Sequence, residues 1–239
     1  GVVSTGGTVG VTSGTDQTAS LNLGAITRNT GAAVDFSWTN TGTGTAAITT
    51  TTGNSGSTGI LGGWATANRA NWATAAGAGP TFTVDALGTY AGTFAAGNNT
   101  DVPSGGAALP SGGATTNSLR LSGGLTFNAG TPGTLTLESG GLLVPAAAGA
   151  TSVGTATTRG TLTGTGGLFV HQHSGSTLTV NSVVSGTNLV KAGDGTLSLT
   201  ATNTYTGVTY IGGGTVVVNS TTSIGAATAD VQINGGAGI

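Results

Sequence analysis

The stretch Lys191–Ser220, KAGDGTLSLTATNTYTGVTYIGGGTVVVNS, holds one cation, one anion and almost nothing else able to do chemistry. Its apolar residues fall two apart, Leu197/Leu199 and Val216/Val218, with Ser or Val between them. That period of two describes a strand with one buried face. Asp194-Gly195 and the glycines at 212–214 interrupt the pattern with residues that tolerate positive φ or bond their own backbone, so these are corners. The same alternation occurs at Leu135/Leu137 and Leu178/Val180.

Aligning TLTGTGG, TLTVNSV, TLSLTAT and TVVVNST puts Thr161, Thr177, Thr196 and Thr215 in register, at steps of roughly 16 to 19 residues. A period this short suits one coil of a parallel β-helix and is too short for a propeller blade. Asn181 and Asn219 end matching strands, which predicts an Asn ladder. No segment reads as a confident helix. Trp64–Gly79 is Ala-rich without an apolar stripe at helical spacing, so a loop or short helix is expected around 62–79, within a polar and Trp-containing excursion over 39–79. The five prolines, Pro80, Pro103, Pro110, Pro132 and Pro145, lie beside turn-like residues, as their exclusion from interior strands requires.

Composition narrows the class. With 47 glycines, 5% charged residues and a mean hydropathy of +0.22, the chain is too apolar and too weakly charged for disorder. The five cations Arg28, Arg69, Arg120, Arg159 and Lys191 are scattered singly, which excludes a basic stripe for nucleic acid. The absence of cysteine excludes disulfides and thiolate metal sites. No 18-residue apolar run is present to span a membrane, and the first residues lack a starting Met and a signal-peptide layout, so a processed or cut chain is expected.

Residues Leu189 to Ser220 resemble the autotransporter-associated β-strand repeat, or passenger-associated transport repeat. The resemblance rests on Leu189, Lys191, Gly193, Gly195, Thr196, Leu197, Leu199, Asn203 to Gly207, Thr209, Ile211, Gly214, Thr215 and Val218. Val216 replaces the usual Leu, and Gly213 stands where Ala is common. Upstream segments such as NSLRLSGG and GLFVHQHSGSTLTVNSVVSG are similar to those preceding the repeat in large secreted bacterial proteins. The resemblance implies a right-handed parallel β-helix, bacterial, secreted or on the cell surface, with no activity common to its members.

The expected object is therefore an all-β, elongated solenoid over 1–239, or part of a longer one, with about a dozen coils of roughly 20 residues, some 50 to 60 Å long at about 4.8 Å per coil. Its repeat core is expected at Leu189, Leu197, Leu199, Ile211, Val216 and Val218, and its turns at Gly193, Gly195, Asn203, Gly207, Gly214 and Asn219. The expected function is a structural, non-enzymatic stalk, matrix or fibre subunit without cofactors. Copies are expected to join end to end, head to tail, through GVVSTGGTVGVT at one end and DVQINGGAGI at the other.

Other constellations read weakly. His171 and His173 share one strand face but lack a third metal ligand, so an outward-facing pair with ordinary titration is expected. Asp16, Asp35, Asp85, Asp101, Glu138, Asp194 and Asp230 are isolated, unlike the clustered carboxylates of polysaccharide-cleaving β-helices. Asp194 reads as a turn residue rather than a calcium ligand. The alternative function is an adhesin-like module that binds glycan or another surface, and a third is a polysaccharide-cleaving β-helix enzyme. The candidate contacts of the adhesin-like module are Trp64 and Trp72, or a Thr-rich face built from pairs such as Thr134/Thr136 and Thr177/Thr179.

Overall fold

The structure is a computed structural model, and it describes residues 2–3, 6–56, 58–226 and 230–234. Residues 99–234 form the solenoid, whose strands pair in parallel with those of the coils below and above. One sheet stacks Asn99–Val102, Gly113–Leu121, Thr134–Val144, Leu168–Gln172, Leu189–Ala192, Thr209–Ile211 and Val231–Ile233. A second stacks Ala107–Ala108, Leu125–Thr126, Thr151–Val153, Thr177–Val180, Thr196–Leu199 and Thr215–Val218. A third side is added where Thr161–Gly164 pairs with Thr134–Leu137 and Val183–Ser185 pairs with Thr161–Thr163.

The lumen is built from the inward parity of these strands. Leu142, Val170, Lys191 and Ile211 form one column, and Leu178, Leu197 and Val216 another. All are buried, and burying each Leu or Val contributes about 1.5 to 3 kcal/mol. Thr177, Thr196 and Thr215 are partners in register, nineteen residues apart. Thr161 is not their partner. It lies on the third side opposite Thr134 and Val183, because its coil is longer than the later ones. The Asn ladder is also interrupted: Thr200 lies between Asn181 and Asn219, and its hydroxyl donates to Asn181 Oδ1 at 2.8 Å.

Val218 and Ile233 continue inward columns, below Leu199 and Ile211 in register, yet they are 39% and 45% exposed. Among the described residues no strand pairs beyond theirs, which leaves Val218, expected in the core, partly exposed on an inward column.

The solenoid is seven strands high, about 30 Å, rather than a dozen coils. The chain before residue 99 explains the difference by lying beside the stack. Its seven-stranded sheet runs in the order Gly7–Thr12, Val34–Thr39, Ala65–Ala67, Asn71–Ala76, Phe82–Ala86, Thr45–Thr50, Thr18–Asn22. The first two coils pair in parallel, and the three antiparallel strands join their two sides, so the sheet nearly closes around Phe36, Ile48, Leu61, Ala73 and Val84. The segment around 62–79 is thus neither loop nor short helix. It is a hairpin, turned at Asn68 and Arg69, whose φ values are 51° and 59°.

The chain doubles back. Gly6 lies against Gly212 near the last coils, Gly63 against Gly141 in the middle, and Ala70 accepts from Arg120 near the first coils. One face of the N-terminal sheet therefore covers the outer face of the first solenoid sheet, packing Ala33 and Trp64 on Phe169, Val190, Ala192 and Tyr210. Ile60 and Trp72 pack on Leu143 farther along.

This geometry corrects the expected head-to-tail contact. The N-terminal strand and the final coil stand at the same end of the particle, so those two segments cannot meet from opposite ends. Parts of both, residues 1, 4–5 and 235–239, lie outside the described residues.

Candidate functional site

Polar chemistry converges where the N-terminal sheet meets the solenoid. A cleft of about 140 Å³ opens there, lined by Asp35, Arg69, His171, His173 and Asp194 among glycines of both arms. His171 and His173 leave the Leu168–Gln172 strand and the turn after it toward the N-terminal sheet, while Leu168, Val170 and Gln172 turn into the lumen. The pair faces outward from its own coil, as its spacing predicts, but the opposite arm buries it. His171 is 1% exposed and His173 6%.

The hydrogen bonds fix the ring protons. Thr66 Oγ1 donates to Asp35 Oδ1 at 2.8 Å, leaving its oxygen to accept from His173 Nε2 at 3.2 Å. His171 Nε2 donates to the Gly63 carbonyl at 3.0 Å. Each histidine thus carries its proton on Nε2 and spends it across the seam. Burial lowers His171 to about 4, against the opposing effect of the Gly63 bond. It lowers His173 to about 3, with positive charge from His171, Arg69 and Lys191 adding to the effect. The ordinary titration expected of this pair is therefore replaced by two imidazoles held neutral.

Asp35 is buried and raised above the usual carboxylate range by desolvation, although it also accepts from the Arg69 backbone N–H at 2.9 Å. Its Oδ2, His173 Nδ1 and Arg69 Nε have no partner in the protein. Asp194 is indeed in a turn, but it is not isolated: Arg69 donates to it at 2.6 Å across the mouth of the cleft. Asp101 likewise pairs with Arg120 at 3.3 Å. Among the described residues no group of three His, Cys, Asp or Glu side chains could hold a metal ion.

Trp72 cannot be a ligand contact, since it is fully buried, with its ring edge-on to His171 at 5.7 Å. Trp64 is half-buried in the same seam. On the second solenoid sheet Thr177, Thr196 and Thr215 form a half-buried row.

The repeat residues act in coil stacking. Leu189, Leu197, Leu199, Ile211 and Val216 are buried. Gly214 turns at φ 67°, and Gly207 sits so close to the Asn188 side chain that a Cβ would collide with it. Asn203 accepts from Val184 N–H at 2.7 Å and donates to the Ser223 carbonyl, tying coils below and above. Tyr205 is buried and bonds Thr209 Oγ1 at 2.6 Å. Gly193 and Gly195 flank the Asp194 turn, and Asn219 is exposed.

These features define a parallel β-solenoid with a second sheet docked along one face. Residues 189–218 match the family model described as Passenger-associated-transport-repeat. Over 114 residues, 46% of this chain, the sequence is 44% identical to the "Adhesin BmaC autotransporter" of Brucella suis biovar 1 (strain 1330). The chain spans 3% of that relative's length. No solved structure matches. The chain thus carries the autotransporter passenger repeat, which places it outside the bacterial cell or at its surface. Among the described residues no helix is long and apolar enough to cross a membrane.

Proposed function

We propose that the chain is a structural, non-enzymatic segment of a surface adhesin's passenger region, a stiff spacer built from stacked coils. The observation that carries this reading is the in-register ladder over 99–234, in which the residues of the repeat are spent on lumen, corners and coil-to-coil bonds. Its last strands leave Val217, Val218 and Ile233 exposed, the large apolar side chains that the described residues present to solvent. A second copy of the chain is the proposed partner.

Light scattering and negative-stain microscopy of the purified chain test this. Stiff particles that associate at high concentration are expected. A chain that stays single at every concentration would contradict the self-association, and cleavage of a polysaccharide by the chain would contradict the structural role.

The row of Thr177, Thr196 and Thr215, together with the similarity to an adhesin, supports a second reading in which this uncharged face binds glycan. Binding on a glycan array that is lost when Thr196 is changed to Lys would favour it.

A further inference from the structure

The seam between the two arms concentrates buried polar groups that coil stacking does not use. We propose that His171 and His173 form a proton-gated latch: neutral, they hold the N-terminal sheet on the solenoid, and protonated, they release it while the coils stay folded.

The geometry makes the bound state specific to neutral rings. His173 already donates Nε2–H to Thr66, which donates in turn to Asp35, and its buried Nδ1 has no hydrogen-bond partner. A second proton on that ring would be a buried donor without a partner. The His171 ring centroid is 6.0 Å from that of His173, so the two cations would also repel each other. The groups around them add positive charge. Arg69 stands on the N-terminal side, and Lys191 lies on the neighbouring strand with its ammonium toward the lumen. Asp35 faces the pair, and Asp194 is turned outward in its ion pair with Arg69.

Release need not unfold either arm, because each has its own core. The lumen cluster runs from Val102 to Val216, and the N-terminal cluster surrounds Phe36 and Ile48. The cleft supplies a path by which water and protons reach the rings. The sign is set by the histidines: both are held below 6.5 when the seam is closed, so the closed state loses stability as pH falls below 6.5. Asp35 acts in the opposite sense, since its raised value makes the closed state bind a proton more readily than the open one. With two protons taken up, the ratio of open to closed chains rises by up to about a hundredfold per pH unit.

The test follows tryptophan emission and hydrogen exchange over 60–76 from pH 8 to 4, with far-ultraviolet circular dichroism reporting the coils. A reversible red shift and faster exchange between pH 6.5 and 4, with the β-sheet signal retained, are expected. In the double variant His171→Gln, His173→Gln, whose amides can still donate to Gly63 and Thr66, opening is expected at least one pH unit lower. An unchanged seam down to pH 4 would overturn the proposal, as would opening of the variant at the parent's pH or loss of the sheet signal together with the seam. If the variant does not fold, imidazole proton resonances of the parent decide. Both rings shifting together with seam opening supports the latch, whereas two independent titrations near 6.5 with the seam closed overturn it.

Discussion

The Lys191 ammonium donates to the Gly213 carbonyl of the next coil at 3.1 Å, and to Ala192 and Gly193 of its own coil at 3.0 and 2.6 Å. A cation in an apolar lumen is thereby satisfied by backbone alone and ties two coils at one corner. Burial lowers it to about 8, so between pH 8 and its ordinary value the folded chain binds fewer protons than the unfolded one. Stability is therefore expected to rise by about 2 kcal/mol from pH 8 to pH 10. Tyr90 and Tyr205, raised to about 12 by burial, act in the opposite direction only above pH 10. Denaturant melts at the two pH values check this. Lys191→Met is expected to lose the gain and to be less stable at pH 7 by about 1 to 3 kcal/mol, because three carbonyls lose their donor.

Leu197 and Val218 lie on inward columns but differ in what covers them. Leu197→Asp puts an unpaired carboxylate between Leu178 and Val216 and is expected to cost several kcal/mol, opening both adjoining coils to protease. Val218→Asp, at a side chain already 39% exposed, is expected to change the melting point of this chain by little. Equal damage from the two would show that Val218 is covered.

Asn203→Ala leaves Val184 N–H and the Ser223 carbonyl unpaired in the interior. A loss of about 2 to 4 kcal/mol is expected, with faster hydrogen exchange at Val184 marking the broken bond.

The lumen was legible in the sequence because its alternation is local: Leu135, Leu178 and Leu197 each declare their parity within four residues. The seam was not, because it joins residues more than a hundred positions apart, as in Thr66 with His173 and Gly63 with His171. A signal was nevertheless present. LFV at 168–170 and LV at 189–190 are apolar on both parities, the mark of a strand covered on both faces, whereas TLTV at 177–180 and TLSL at 196–199 alternate cleanly. The expectation of a solenoid through the whole chain failed for a related reason. Trp64 to Ala76 carries few large apolar residues of its own and becomes strand only by packing against another sheet.

Gly63 and Gly141 meet across the seam at a distance that leaves no room for a side chain. Gly63→Ala would drive its Cβ into the backbone of Ser139 and Gly141, so the N-terminal sheet is expected to lift while the coils persist. Limited proteolysis is expected to cut the 60–98 region first and to leave a resistant fragment containing the repeat.

The doubled-back path is tested most directly by one cross-link. The chain has no native cysteine, and Thr8 and Gly213 line the same cleft although 205 residues separate them. Thr8→Cys with Gly213→Cys, treated with a short bifunctional maleimide, is expected to give near-complete cross-linking within single chains at low protein concentration. A single stack of coils through the whole chain would hold these positions about 50 Å apart, given roughly ten spacings of about 4.8 Å. Absence of the intramolecular product, with both cysteines reactive, would contradict the account.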